Sequence, residues 1–301
     1  MADAALDVAI DFGPDRAAID RALASFCDRH IAGLASPVAD AIRYSLTGEG
    51  KRLRGILFLR AYEAASGTAD ASALAAAIEV VHAYSLVHDD LPCMDDDDVR
   101  RGRPTVHRVF GVAAATAAGL AMVPLAALCA AESCGALGLS GDDTAAVVRD
   151  LMIASGAGGM IGGQLLDLEG EGRPLALDEL QRIHGAKTGA LIAAAATIGG
   201  RAAGAPPEAL AALARYGATI GLAFQIADDV LDVTATTSQL GKTAGRDLAL
   251  QKSTYPALLG IDGARSRARS LVEQGCSALD EVGLLTPPLA RIAHFTIERT
   301  S

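Results

Sequence analysis

Residues 87–107 read VHDDLPCMDDDDVRRGRPTVH, and this one stretch holds six aspartates (Asp89, Asp90, Asp95, Asp96, Asp97, Asp98) followed at once by Arg100, Arg101 and Arg103. Two carboxylates ~4 Å apart repel by about 1 kcal/mol in water, and by about 4 kcal/mol where the effective dielectric falls to ~20. Such a cluster needs cations. Ligands that are all oxygen suit a hard ion such as Mg2+, which keeps several waters and is usually shared with phosphates. The arginines next to them are planar forks that match phosphate oxygens. Acids for a metal beside bases for phosphate point to a site for a metal–diphosphate complex.

A solvated acidic turn and a calcium loop are the plain alternatives. The EF-hand spacing and its closing glutamate are absent. A second acidic motif, Asp228-Asp229-Val230-Leu231-Asp232, lies far downstream in the apolar run AFQIADDVLDV, where a solvated face is implausible. In a helix Asp228 and Asp232 are i,i+4 neighbours on one face. Two such clusters across a cleft could hold bridging metals between them.

Composition narrows the class. The 301 residues are 51% hydrophobic, with no Trp and only 4% aromatics, so the core must come largely from Ala, Leu, Val and Ile. The net charge of −10, with basic residues in short clusters, argues against a nucleic-acid surface. Five cysteines (Cys27, Cys93, Cys129, Cys134, Cys276) without a CxxC pair read as reduced thiols, not a disulfide frame or a zinc site. The start, MADAALDVAIDFG, lacks a signal peptide's basic residues, and a cytoplasmic protein is expected. Gly111 to Ala131 carries no charge and is long enough to span a bilayer. Its alanines and Pro124 instead suggest a helix buried on all sides within a large bundle, with no membrane insertion.

Apolar spacings of three and four predict helices over Asp15 to Ile31, Ala39 to Leu46, Lys51 to Ala65, Ser72 to Asp90 and Gly111 to Glu132. Further helices are predicted over Thr144 to Leu168, Leu177 to Ile198, Glu208 to Thr234, Thr254 to Gln274 and Pro288 to Glu298. No segment alternates with period two, so few or no strands are expected. One all-α domain over residues 1–301 is the reading.

Other constellations fit an anionic ligand. Gly50-Lys51-Arg52-Leu53-Arg54 sets three cations at a helix start, whose orphan N–H groups favour anions. His82 lies two turns before Asp89 on the same helix face. Gln164 and Asp167 are polar in an apolar helix and need partners if buried. Lys187-Thr188-Gly189 and Lys242 offer further donors. No covalent nucleophile stands out, because Ser85 and Thr188 lack an evident base and Gly-x-Ser-x-Gly is missing. The chemistry is therefore read as metal-assisted departure of a diphosphate.

With GKRLR, HAYSLVHDDLPCMDDDDVRRGRPTVH, GGQLLDLEGEG, KTG, FQIADDVLD, LGKTAGRD and KSTYPALLG occurring in this order, the chain resembles the bacterial short-chain trans-prenyl diphosphate synthases, the farnesyl-producing type in particular. The resemblance implies an all-α bundle around a deep central pocket, usually a homodimer, in which Mg2+ ions bridge the two Asp motifs to an allylic diphosphate. Metal ligation falls to Asp89, Asp90 and Asp95 in the first motif and to Asp228, Asp229 and Asp232 in the second. Arg100, Lys187, Thr188, Gln225 and Lys242 would hold the allylic diphosphate; Lys51, Arg54, His82 and Arg101 would hold isopentenyl diphosphate. Lys252 falls in a supporting position. Asp89, Asp95, Asp228, Lys187 and Arg100 form the implied catalytic set, with the departing diphosphate as the base.

Two departures bear on this. Asp89 and Asp95 are six apart, which on a continuous helix would aim them ~120° from each other; a bulge at Pro92 is expected to realign them. Gly55 stands where the family often has proline, which should affect the helix start and not the chemistry. Tyr84 and Ser85 precede Asp89 by five and four residues, and an aromatic at the first of these positions resembles the farnesyl-producing type. Tyr84 is expected to limit chain length and Ser85 to leave room for a ten-carbon starter. A geranyl or geranylgeranyl product, a class I terpene cyclase and a non-catalytic synthase subunit are the rivals, the last two disfavoured by intact GKRLR and both Asp motifs.

Overall fold

The computed structural model describes residues 11–234 and 252–298. Helix α1 (Gly13–Phe26) runs on into a π turn (Cys27–Ile31), and α2 (Val38–Leu46), α3 (Leu53–Ala64) and α4 (Ser72–Asp89) follow. A hairpin of β1 (Val99–Arg100) and β2 (Arg103–Pro104) leads into the short α5 (Val106–Phe110) and the long α6 (Val112–Ala136). Next come α7 (Gly141–Ser155), α8 (Met160–Glu169), α9 (Leu177–His184), a second π turn (Gly185–Gly189) and α10 (Ala190–Ala202). Helices α11 (Pro207–Thr234), α12 (Tyr255–Asp280) and α13 (Pro287–Glu298) complete the bundle. It is an all-α fold, as expected, and the hairpin is the only sheet among the described residues.

Helix α4 is central because it is apolar around most of its circumference. Leu74, Ala75, Ala76, Ala77, Ile78, Val80 and Val81 are all fully buried, against α1, α3 and α6. Its small residues let neighbouring helices approach closely, so a chain without tryptophan can fill its interior. Helix α10 joins α3 to α11, and α11 packs on α12. Phe58 and Tyr216 are completely buried in this second half, and burial of a side chain like Phe58 contributes about 1.5–3 kcal/mol. The Tyr216 hydroxyl donates to the Leu289 carbonyl at 2.7 Å and so ties α13 down.

Three expectations are corrected. Thr144 to Leu168 is two helices, not one: Ser140 caps α7 by accepting from the Asp143 N–H, and the glycine-rich residues 156–159 break the run before α8. The predicted helix from Leu177 is interrupted by the π turn at Gly185–Gly189 and extends to Ala202. Helix α6 is not buried on all sides. Leu120 is 66% exposed, with Val112 and Leu128 also at the surface, because only the Ala115, Ala118, Met122 and Ala126 side meets the core. By length and composition alone the helices Val112–Ala136 and Pro207–Thr234 are long and apolar enough to cross a membrane, as is the run Gly141–Glu169 that the break at 156–159 divides.

One close backbone approach sets the second π turn against α8. Gly163 of α8 lies directly against the second π turn, and a Cβ there would fall 2.2 Å from the backbone nitrogen of Lys187. Only glycine allows that contact.

Candidate active site

Helix α4 ends at Asp89, and the chain then folds back rather than bulging within a helix. The Leu91 N–H donates to the His88 carbonyl, the Asp96 N–H to the Leu91 carbonyl, and the Asp95 N–H to the Asp89 carbonyl at 2.8 Å. Asp96 takes a left-handed conformation (φ 50°) to complete the reversal. The loop thereby returns Asp95 to Asp89, which no continuous helix could do at that spacing. Burial above all raises the Asp89 carboxyl to about 6; Lys187 and Arg100 oppose this, and Asp95 and Asp90 reinforce it.

Asp90 is buried and accepts from Arg100 Nε at 2.7 Å, while Asp97 lies 3.5 Å from Arg100 Nη2. The hairpin turn at Arg101 and Gly102 has positive φ at both residues (53° and 73°), the geometry of a two-residue hairpin loop. It sends three adjacent arginines in three directions. Arg100 goes to Asp90, Arg101 donates to the Glu49 carbonyl at 2.9 Å, and the Arg103 guanidinium lies 4.1 Å over the Tyr44 ring.

The GKRLR segment is similarly divided. Arg52 is buried and donates to Asp20 (2.8 Å) and to the carbonyls of Leu46 (2.9 Å) and Gly48 (2.8 Å), so it staples α1 and α2 to the start of α3. Lys51 is exposed. Arg54 points inward: its Nε is enclosed without a partner among the described residues. Burial lowers its pKa, with Glu79 and Asp228 pulling it up and Arg101 pushing it down. His82 is held well below its usual pKa by burial and then by Arg54, Arg101, Arg100 and Arg52, so it is neutral at pH 7. His82, Arg54 and Arg101 thus share one neighbourhood. The buried Glu79, which accepts the Gly55 N–H at 2.8 Å, belongs to it too. A proline at position 55 could not make that bond.

The second motif is on the unbroken α11. Asp229 is buried, accepting from Gln225 Nε2 at 3.2 Å and from the Tyr255 N–H at 3.0 Å. Asp232 is also buried, and Asp228 is half-buried and acts on Arg54. The second π turn acts on the first motif and bonds the helix of the second. Lys187 is the strongest charged neighbour of Asp89, and Thr188 donates to Gln225 Oε1 at 3.0 Å. Lys187 itself donates to Asp167 at 2.6 Å, and Lys252 donates to the same oxygen at 2.9 Å. Burial alone would raise the Asp167 carboxyl, but the two lysines outweigh it and hold it at about 2.

Residues 36–282, most of the chain, match the polyprenyl synthetase family. The chain belongs to that family. The chain is 46% identical over 271 residues to farnesyl diphosphate synthase of Escherichia coli (strain K12), covering 88% of this chain and 90% of that one. It is 42% identical over 265 residues to the chloroplastic geranylgeranyl pyrophosphate synthase of Catharanthus roseus, covering 87% of this chain and 74% of that one. Among solved structures it resembles an FPP/GFPP synthase from Zymomonas mobilis, with a TM-score of 0.78, 32% identity, and coverage of 94% of this chain and 99% of that one. This polyprenyl synthetase is a trans-prenyltransferase of isoprenoid biosynthesis.

Polyprenyl synthetases are generally magnesium-dependent. Among the described residues no group of three His, Cys, Asp or Glu side chains converges as a ready-made metal cage. The residues nevertheless fit Mg2+. The backbone brings Asp89 and Asp95, both half-buried oxygen donors, to the same place, where repulsion and partial burial already penalise the charge that a cation would relieve. Mg2+ commonly takes one or two carboxylates and completes its shell with water and phosphate. Of the residues singled out from sequence, Lys242 lies outside the described residues. Glu79 and His184 were missed. The former was legible as a lone carboxylate in the apolar run AAAIEVV. The latter is buried on α9 with its ring 5.6 Å from Tyr255, and burial lowers it to about 4; nothing in its local sequence marks it.

Tyr84 is buried on the α4 flank, its ring 5.4 Å edge-on to His88, which in turn bonds the Thr116 carbonyl of α6. Ser85 is half-buried, with its hydroxyl donating to the His82 carbonyl at 2.9 Å.

Proposed function

We propose that this polyprenyl synthetase condenses isopentenyl diphosphate with dimethylallyl and geranyl diphosphate and stops at (2E,6E)-farnesyl diphosphate. The observation that carries the reading is the buried Tyr84, one and a half turns before Asp89, with the Asp89 carboxylate near enough to help burial push its hydroxyl up to about 12. A tail anchored by its head group at Asp89 and running back along α4 would meet this ring on the flank toward α6.

In this reading Asp89, Asp90 and Asp95 on one side and Asp228, Asp229 and Asp232 on the other would hold several Mg2+ ions, which supply positive charge to the oxygens of the departing diphosphate. Lys187, Thr188, Gln225, Arg100 and Lys242 orient the allylic diphosphate and stabilise the charge it gains as its carbon–oxygen bond breaks. Lys51, Arg54, Arg101 and neutral His82 hold isopentenyl diphosphate so that its double bond faces the allylic carbocation. The released diphosphate then takes the proton whose loss forms the new double bond, and no side-chain base is required. The reading also has the protein working in the cytoplasm as a homodimer. Support for pairing comes from the exposed apolar side chains of α6 to α8, among them Leu120, Leu128, Ile153 and Leu165.

The similarity to a geranylgeranyl pyrophosphate synthase favours a second reading, a twenty-carbon product. Purified protein with Mg2+, isopentenyl diphosphate and each allylic starter decides between them by product chromatography. Wild type is expected to accumulate the fifteen-carbon diphosphate and Tyr84→Ala twenty carbons or more, with Ser85→Phe shifting product toward geranyl diphosphate. An unchanged fifteen-carbon product from a folded, active Tyr84→Ala enzyme would place the pocket floor elsewhere.

A further inference from the structure

A cluster on α8 supports the site from behind. One oxygen of Asp167, Oδ2, accepts from the ammonium of Lys187 at 2.6 Å and from that of Lys252 at 2.9 Å. Glu171, one turn further on, is 3.3 Å from the Lys252 ammonium. Gln164, one turn earlier on the same face, is buried with neither amide atom partnered among the described residues. Lys252 opens a segment fastened to the α8–α9 connection, where the Leu175 N–H donates to Ser253 Oγ at 2.9 Å. The cluster is thus built, not incidental.

Two ammoniums this close repel each other, and a carboxylate between them is what allows them to coexist. The first acidic motif also lies within their electrostatic reach: Lys187 acts on Asp89 and Asp95 acts on Lys252. A lysine paired with Asp89 or Asp95 would compete with a metal ion for those oxygens. We propose that Asp167 is a positioning residue of the transferase site: it holds Lys187 and Lys252 against α8, keeping Asp89 available to metal and the lysines aimed at diphosphate oxygens. Lys252 shares Asp167 and Glu171, so Lys187 is the cation that Asp167 releases toward the incoming diphosphate. The inference rests on the reading of this site as the allylic-diphosphate site.

The test compares wild type with Asp167→Asn, which keeps the shape and removes the charge. Each is assayed with Mg2+, isopentenyl diphosphate and geranyl diphosphate, and titrated with magnesium pyrophosphate by calorimetry. Loss of this charge-assisted arrangement is expected to raise the KM for geranyl diphosphate and the half-saturating Mg2+ concentration about tenfold, with a matching loss of magnesium pyrophosphate affinity. The KM for isopentenyl diphosphate should stay within about twofold, and Asp167→Glu should recover most of the loss. If Asp167→Asn fails to fold, Lys252→Gln decides the point. It leaves Asp167 wholly to Lys187, and the allylic KM should rise about threefold; no rise would overturn the proposal. Equal losses for both substrates, or a fall in kcat with every binding constant unchanged, would also overturn it while leaving the transferase reading intact. A wild-type protein that turns over no allylic substrate, yet binds magnesium pyrophosphate in an Asp167-dependent way, would overturn the transferase reading and keep the positioning role.

Discussion

The first acidic motif hangs from a helix end and a loop folded back on it, whereas the second consists of three side chains on one unbroken helix. Despite that difference, each uses its second aspartate in the same way. Asp90 is buried against Arg100, and Asp229 is buried between Gln225 and the Tyr255 N–H at the start of α12. Asp89 and Asp228 remain nearer the surface. The two carboxylates of each tandem pair are therefore held differently: the second is buried against the protein and the first is half-buried. The difference in construction also has a meaning. An unbroken helix can offer i,i+4 acids directly, but the wider Asp89–Asp95 spacing has to be closed by the backbone.

The largest effect that would break this comparison is on activity. Asp89→Ala and Asp228→Ala should each lower kcat/KM by about a thousandfold or more, the equivalent of about 4 kcal/mol of metal-borne charge stabilisation. Chelation should abolish turnover and added Mg2+ should restore it in wild type. Asp89→Ala should not lower the Tm, and a loss as large as that of Asp90→Ala would mean that the two carboxylates of the pair are not held differently.

Asp90→Ala should lose stability as well as activity, because it leaves the Arg100 guanidinium partly enclosed without its main partner. Breaking a buried pair costs about 3–5 kcal/mol, and Arg100 is a third exposed, so the lower end applies. At roughly 1.6 °C per kcal/mol for a chain of this size, calorimetry should show a Tm lower by about 5 °C. Asp229→Ala should behave alike, to a smaller extent, through the lost bond to Tyr255.

Arg54 sharpens the contrast between the substrates. Arg54→Ala removes a charge-assisted contact of about 1.5–3 kcal/mol, so the KM for isopentenyl diphosphate should rise ten- to a hundredfold. The allylic KM should change little when each substrate is varied separately. If the allylic KM rose equally, Arg54 would belong to both sites.

The smallest effect is one of pH. Asp89 is raised to about 6 when folded, against ~3.9 in an unfolded chain. Between those values the folded protein binds the extra proton, so this group's contribution to stability falls as pH rises through the window and stays lost above it. Asp89→Asn cannot take up that proton. In chelator, going from pH 4.5 to 7 should therefore lower the Tm of wild type relative to that of the variant. Parallel curves would show that Asp89 is not strained by its surroundings.

The helices and both motifs were legible because they are local: spacings of three and four mark α1, α4 and α11, and paired carboxylates in apolar surroundings mark the site. What was not legible depends on distant partners. Nothing within GKRLR tells Arg52 from Arg54; the difference is that Asp20 and the carbonyls of Leu46 and Gly48 surround one, and a buried neighbourhood with Glu79 and Asp228 surrounds the other. The hairpin at residues 99–104 is too short for a period-two signal, although Arg-Gly at its turn carries the positive φ values. The exposed side of α6 was hidden by its even spread of alanine and leucine, which gives no face away.

Gly163 has a consequence for how such a scaffold can change. The contact that seats Lys187 is backbone on backbone, so no side chain stands there to be repacked. The flank of α4 where Tyr84 and His88 meet α6 is instead a meeting of side chains, which substitutions can repack. On the function proposed above, that contrast would leave the lysine's seat constant while the room for a hydrocarbon tail changes. Backbone would then set the charge, and side chains the length.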